Sequence, residues 1–374
     1  MANPRSGSPS RPLEPPPLPP PGLTLSESTL ALLSDASVAL GRLDGSVATL
    51  PNADLFVLMY IRKEAVYSSQ IEGTQSSLDD LLAAEAKILD PDRPRDVEEV
   101  IDYVAALRLG LERLEELPIS VRLLREIHAR LLQSARGANK DPGEFRRIQN
   151  WIGPAGCSIA DATFVPPPPQ RVPDLMADLE RFLHAESSLP PLIRIGLAHA
   201  QLETIHPFLD GNGRLGRLLI TLMLCEQGIL GQPVLYLSHH LRIHRSEYYD
   251  RLQATRGSEA WAAWLEFFLG GVASAATDAA ETASRILELR ERHRDLLMQH
   301  LGRGAANAVR VLDSLYSLPI TTVKSVRELL DVTSAGANTI VARLVDLGIL
   351  REITGHARNR KFEYEAYVRL FGEG

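Results

Sequence analysis

The chain has 374 residues, a formal net charge of −7, 45% hydrophobic and 23% charged residues, and 6% aromatics. That length predicts about two or three domains with a real core. The acidic balance argues against a protein that coats nucleic acid with its whole surface, although a local basic patch is compatible with it. Two cysteines, Cys157 and Cys225, cannot build a disulfide framework and point to a reducing compartment. No apolar run reaches the roughly 20 residues that span a bilayer, and the N-terminus lacks the apolar core of a signal peptide. A cytoplasmic, mainly α, multidomain protein built on aliphatic packing, with no membrane partner, is the expectation.

Residues 1–22 are proline-rich and end in PPPLPPPG, which predicts a disordered or polyproline-like tail, with a PxxP-type partner motif as the alternative to simple solvation. Residues 23–117 form an N-terminal helical region. Its run LFVLMYIRKEAVYSSQI has apolar residues at helical spacing and stops at Gly73, and SSLDDLLAAEAKI opens on Ser76 or Ser77 as an N-cap. The run DVEEVIDYVAALRLGLERLEEL continues the amphipathic pattern. Residues 118–301 read as the catalytic domain and a long connecting helix. SVRLLREIHARLL is helical, and GEFRRIQNWIGPAGCSIADATFVPPPP then reads as a small β-hairpin flap, because Pro166–Pro169 cannot continue a helix. Helices resume at VPDLMADLERFLHA and PPLIRIGLAHAQLETI. The nearly all-apolar GRLLITLMLCEQGIL should be a buried central helix. From Glu259 to Leu301 one long helix is expected, with Trp261, Trp264, Phe267 and Phe268 as a packing stripe.

Residues 302–374 look like a separate module. ANAVRVLDSLYSL, TVKSVRELLDV and TSAGANTIVARLVDLGIL predict three helices, and LREITG with RKFEYEAYV predicts two strands around a basic tip. That is the plan of a winged helix-turn-helix. Ser334, Asn338 and Arg343 are candidate DNA contacts, and Arg351, Arg358, Arg360 and Lys361 make the wing basic. Asp331, Asp346 and Glu352 flank that surface, so DNA binding, protein contact and homo-dimerisation all stay open for the module.

The densest chemistry is HPFLDGNGRLGR, residues 206–217. Gly211 and Gly213 permit backbone turns that bring amides close to a ligand, and amides at a helix N-terminus make an anion site. Arg214 and Arg217 add forked donors for phosphate oxygens. Asp210 is a hard oxygen ligand suited to Mg²⁺ shared with phosphates, and His206 can accept a proton near neutral pH. The segment is no P-loop, since no Gly-Lys-Ser/Thr comes after it, and no dinucleotide fingerprint, since the preceding element is helical. Zinc would require more His or Cys at close spacing. A plain Gly/Asn-rich turn explains the glycines but not the His, Asp and two Arg together.

The segment resembles the Fic-domain signature H-P-F-x-D-G-N-G-R-x-x-R at every defined position. GEFRRIQNWIG with FVPPPP resembles the family's flap, and LYLSHHLRIHRSEYYDRL resembles the stretch after its central helix, so that roughly residues 23–290 are covered. The resemblance implies a Fic-type helical fold and transfer of AMP from ATP to a protein Ser, Thr or Tyr hydroxyl, with this chain itself among the acceptors. It implies His206 as base, Asp210 as the Mg²⁺ ligand, and Gly211, Asn212 and Gly213 as an anion hole. Arg214 would touch phosphate, Arg217 would meet the γ-phosphate, and Phe208 would anchor the loop in the core. Ser68-Ser69-Gln70-Ile71-Glu72-Gly73 resembles the family's inhibitory motif. Ser68 and Glu72 are i, i+4 on one helix face, and by resemblance Glu72 pairs with Arg217 and blocks the productive γ-phosphate pose.

Tyr248 and Tyr249 are candidates for the border of the adenine pocket, one of them being core. The extended flap edge could align a target segment by strand addition. Cys157 lies in the flap with nothing to mark it as catalytic, and His239, His240 and His244 show no metal spacing and read as loop or surface residues. Alternatives to AMP transfer are UMP or phosphoryl transfer or AMP removal on the same scaffold, or a DNA-binding regulator with a nucleotide-sensing domain.

Overall fold

The computed structural model describes residues 12–50, 53–88, 94, 96–133, 139–154, 156–257, 260–356 and 358–372. Among these residues, helices dominate. α1 (Glu27–Ala48) opens on Ser26, whose hydroxyl accepts the Thr29 N–H at 3.0 Å. It lies along α11 (Trp261–Leu301), a single helix of 41 residues, about 60 Å long at 1.5 Å per residue. α2 (Ala53–Ile71) ends at Gly73, which has φ +103°. The capping box Ser77–Asp80 then starts α3 (Leu78–Glu85). α4 (Val97–Leu114) and α5 (Val121–Leu131) pack together. Buried Glu64 on α2 accepts from the Ser238 N–H and hydroxyl and from the Tyr103 hydroxyl, and burial pushes its carboxyl up to about 7. The group ties α2 to α4 and to the start of α9 (Leu237–Ile243).

α6 (Val172–His184) leads to the two central helices, α7 (Pro191–Ile205) and α8 (Asn212–Glu226), which are buried along nearly their whole length. The apolar run LLITLML places its side chains against every neighbour of the bundle, which is why α8 lacks a polar face. α10 (Arg245–Thr255) closes the bundle over α7. Among the described residues, no helix is long and apolar enough to cross a membrane.

Three local expectations change. The flap holds one antiparallel bridge, Ile152–Phe164, in place of a laddered hairpin. A 3-10 turn at Ile159–Asp161 and the prolines at both ends remove the donors a longer ladder needs. His239 and His240 lie on α9 itself, packed beside Tyr67 and under Gly271, and are neither loop nor open surface. The tail, expected to be disordered, is seated from residue 12 onward. Leu13 N–H donates to the Val165 carbonyl at 3.2 Å, Arg171 pairs with Glu14 at 2.6 Å, and Gln201 Nε2 donates to the Pro16 carbonyl at 2.9 Å. Pro15 and Pro20 are buried. A chain already held extended by its prolines loses little entropy on docking, so a few contacts suffice. The part of that expectation that concerns residues 1–11 lies outside the described residues.

After α11 come α12 (Ala305–Ser314), α13 (Val323–Leu330) and α14 (Ser334–Asp346). The sheet has three strands, with β1 (Ile320–Thr322), β2 (Arg351–Glu352) and β3 (Lys361–Glu363) in the order β1-β3-β2, all antiparallel. β1 is too short to announce itself in the sequence. The second expected strand stops at Glu363, and α15 (Glu365–Val368) comes next. Helices and sheet are consistent with the winged helix plan. The stretch shares one continuous apolar core with the rest of the chain. Phe56 of α2 packs on Tyr316 with centroids 4.6 Å apart, Tyr60 meets Phe371 edge-on at 5.2 Å, and Arg62 donates to the Ser317 carbonyl at 2.7 Å.

Candidate active site at the α7–α8 turn

His206 is the C-cap of α7, with φ +48° and ψ 60°. A left-handed residue at a helix end breaks the helical path, and here it turns the chain into the loop that leads to α8. Gly211, at φ +75°, is the N-cap of α8, where a side chain would be strained. Between them the loop is fixed by side chains that mimic backbone. Asn212 Oδ1 accepts the Phe208 N–H and its Nδ2 donates to the Phe208 carbonyl, both at 2.9 Å. The Asn212 side chain is therefore a brace, and only its main chain is left to face an anion. Phe208 is fully buried and stacks on His128 with centroids 3.7 Å apart.

His128 carries no signal in the sequence, yet both of its nitrogens hold the loop. Nδ1 accepts the Gly143 N–H at 2.8 Å, and Nε2 donates to the Asp210 carbonyl at 2.9 Å. Burial pushes its pKa down to about 4, so the ring is neutral and can serve both bonds. Arg146 is a second unforeseen brace. Its guanidinium donates to the carbonyls of His206 (2.8 Å) and Pro167 (2.5 Å), its backbone N–H donates to the Pro207 carbonyl, and the group is almost fully buried. It joins the flap base to the last carbonyls of α7, where a cation is favoured.

The first turn of α8 presents its amides beside two buried guanidinium groups. Arg214 is held by Glu99 of α4 at 3.2 Å. Arg217, 2% exposed, donates through Nη2 to Glu72 Oε1 at 2.6 Å and to the Ser68 carbonyl at 3.0 Å, and through Nε to the Ser68 hydroxyl at 2.8 Å. Burial works against both charges of this pair, but their mutual attraction wins: Glu72 is held below the usual carboxylate range and Arg217 above the usual guanidinium range. The Glu72 carboxylate leans directly on Gly213, where a Cβ would collide with Oε1. A carboxylate thus lies at the helix N-terminus, in the space an anion would take. Among the described residues, Arg217 Nη1, Arg214 Nε and His206 Nδ1 are buried without a hydrogen-bond partner.

Burial, aided by Arg256 and Arg146, pushes the His206 pKa down to about 4. The imidazole is neutral at pH 7 and free to accept a proton. Asp210 is half exposed, with Oδ1 accepting the Gly211 N–H at 2.6 Å. One half-exposed carboxylate beside an anion site is the donor set that suits Mg²⁺ held jointly with phosphates. Among the described residues, no three-ligand His/Cys/Asp/Glu cluster competes with it.

Tyr248, expected at the nucleotide border, is core: it is fully buried, and its hydroxyl bonds His199 Nε2 at 2.9 Å. Its position on the inner face of α10 places it against α7 and Trp264. Tyr249 is partly buried, faces the other way, and carries Arg245 over its ring at 5.3 Å. In the C-terminal stretch, Ser334, Asn338 and Arg343 are exposed on α14. Arg351, however, pairs with Glu363 and Glu365, and Lys361 donates to the Ala86 carbonyl, so two of the four wing cations are already engaged within the chain. Cys157 and Cys225 are free thiols.

Gly216 fixes the spacing between α7 and α8. A Cβ there would collide with the buried Glu203 carboxylate and meet His199 at 3.2 Å. Gly216→Ala is therefore expected to destabilise by about 1–3 kcal/mol, the usual cost of overpacking a filled core. A thermal melt checks this; an unchanged midpoint would show that Glu203 yields freely.

Two family models match the chain, one for the Fic/DOC family N-terminal region over residues 30–112 and one for the Fic/DOC family over residues 118–224. A protein of Drosophila willistoni named protein adenylyltransferase Fic is 32% identical over 248 residues, covering 62% of this chain and 43% of that protein. The chain thus spans less than half the length of the curated relatives it matches. A crystal structure of a Fic family protein from Desulfovibrio desulfuricans G20 aligns with a TM-score of 0.61 at 20% identity, over 94% of this chain and 98% of that one. A Fic domain containing signaling protein from Bacteroides thetaiotaomicron aligns with a TM-score of 0.54 at 20% identity, over 69% and 95%. At these identities the two structures speak for the fold.

Proposed function

Because the chain is a Fic-domain protein, we propose that it is a protein adenylyltransferase, moving AMP from ATP to a Ser, Thr or Tyr hydroxyl of a protein and held in check by Glu72. The observation that carries this reading is the convergence of the α8 amides, Arg214 and Arg217 on one face of the turn that begins at His206. Such a site does little covalent chemistry of its own; it positions and neutralises phosphate.

In the proposed reaction the acceptor oxygen attacks the α-phosphorus and pyrophosphate leaves. The neutral His206 imidazole takes the hydroxyl proton. Main-chain amides at Gly211, Asn212 and Gly213 receive phosphate oxygens, Arg214 stays oriented by Glu99, and Arg217 meets the γ-phosphate once it leaves Glu72. Tyr249, not Tyr248, is the tyrosine left to border the base. Mg²⁺ on Asp210 would offset phosphate charge. Incubation with labelled ATP, UTP and other nucleotides, with the product weighed, tests the reading: a gain of one AMP from ATP is expected, and a gain of UMP or of phosphate would replace it.

Asp210→Ala is expected to lower transfer about tenfold or more and to raise the Mg²⁺ needed, since the phosphates lose a shared counter-ion. A magnesium titration of the variant measures this. Activity that persists in excess EDTA would make Asp210 a purely structural loop residue.

A further inference from the structure

Phe164 exchanges both backbone hydrogen bonds with Ile152, at 2.9 and 3.0 Å. Because successive residues of an extended segment face opposite ways, Val165 turns its carbonyl to the outer side, and that carbonyl accepts the Leu13 N–H. The tail is thus added along the outer edge of the flap, as a bound peptide would be. Downstream contacts read the tail's sequence. Arg171 grips Glu14 with two donors, at 2.6 and 3.1 Å. Pro15 is buried. Gln201, itself 5% exposed, donates to the Pro16 carbonyl, and Leu18 packs against the core beside Phe182. Each feature asks for something different of its occupant: a free amide, an acid, a ring that fills a small seat, a carbonyl and an aliphatic end.

We propose that the groove between the flap, α6 and α7 is a recognition surface for an extended proline-rich segment of the pattern Leu-Glu-Pro-Pro-x-Leu, and that residues 13–18 of the chain are its resting occupant. The groove takes a segment whose backbone is already extended, so binding costs little ordering. While the tail is seated, the outer edge of the flap at Val165 has no place for a second strand. The flap base is bonded through Arg146 to the His206 carbonyl, so this edge borders the catalytic turn.

The test uses a fluorescent peptide of residues 12–22 and the full chain, without ATP, so that a chain that transfers no AMP still reports on the surface. A tethered occupant competes at millimolar effective concentration. The native chain should therefore bind the peptide at least about tenfold more weakly than the variant Glu14→Arg/Leu18→Asp, whose own tail is released. Adding Arg171→Glu to that variant should abolish its binding of the native peptide and admit a Glu14→Arg peptide instead. Leu13→Pro, which removes only the amide donor, should raise hydrogen exchange in the flap while the melting midpoint stays fixed. Equal peptide binding by the native chain and the folded released variant overturns the proposal, and so does binding that ignores the charge at position 171.

Discussion

His206→Ala is expected to abolish AMP transfer while leaving the fold and nucleotide binding in place. Loss of a general base costs about 10²–10⁴-fold, and the site offers no substitute. His128, the other imidazole of the loop, has both nitrogens committed to Gly143 and Asp210. Asp210 lies in the same loop with Oδ1 already accepting the Gly211 amide. The low pKa of His206, about 4, adds a pH signature. A group whose pKa is depressed stays unprotonated, and so able to act as a base, down to its lowered value. The acid limb of transfer in the native enzyme should therefore fall well below the ordinary histidine value of about 6.5, provided that the fold persists. Initial rates with labelled ATP across pH measure both effects. Transfer by the alanine variant within a few-fold of the native rate would remove His206 from the chemistry.

Glu72→Gly should raise transfer, self-modification included. The Glu72 carboxylate bonds Arg217 at 2.6 Å and fills the space over Gly213, so it competes with the γ-phosphate for both the guanidinium and the helix terminus. A charge-assisted pair is worth about 1.5–3 kcal/mol. Because the Glu72 side chain is 35% exposed, solvent screening places this pair at the low end. The expected gain is roughly tenfold. Arg217→Ala would not reproduce it, since that change removes the phosphate contact together with the brake. The comparison is the yield of modified protein at equal ATP and Mg²⁺, and an equal or lower yield from a folded Glu72→Gly chain would leave residues 23–117 as scaffold.

Only local features were legible in the sequence. The loop from His206 to Arg217 carries its chemistry within a dozen positions, and Ser68 with Glu72 announces a shared helix face through simple i, i+4 spacing. The braces of that loop were not legible. His128, Arg146 and Glu99 act on residues 82, 60 and 115 positions away, and no periodicity marks a side chain for so distant a partner. Tyr248 and Tyr249 show the limit from the other side: adjacent residues on a helix face different ways, and only the packing of α10 on α7 decides which one is core. The tail misled for a physical reason. Proline richness forbids helix and ladder alike, but an extended chain with no secondary structure of its own can still be fully placed by a surface that fits it.

α2 is one uninterrupted helix. Ser68, which receives two of Arg217's hydrogen bonds, rides on its last turns, while Phe56, Tyr60 and Arg62 on its earlier turns are gripped by Tyr316, Phe371 and Ser317. From Tyr60 to Ser68 the helix is a rod of about 12 Å, with one end in the C-terminal core and the other on the catalytic guanidinium. The register of that guanidinium is therefore set from a distance, by residues that never approach a phosphate. Loosening the grip at Tyr316 reaches Arg217 without touching it. By reciprocity, whatever draws Arg217 away from Ser68 pulls on the aromatic clasp at the far end of the rod.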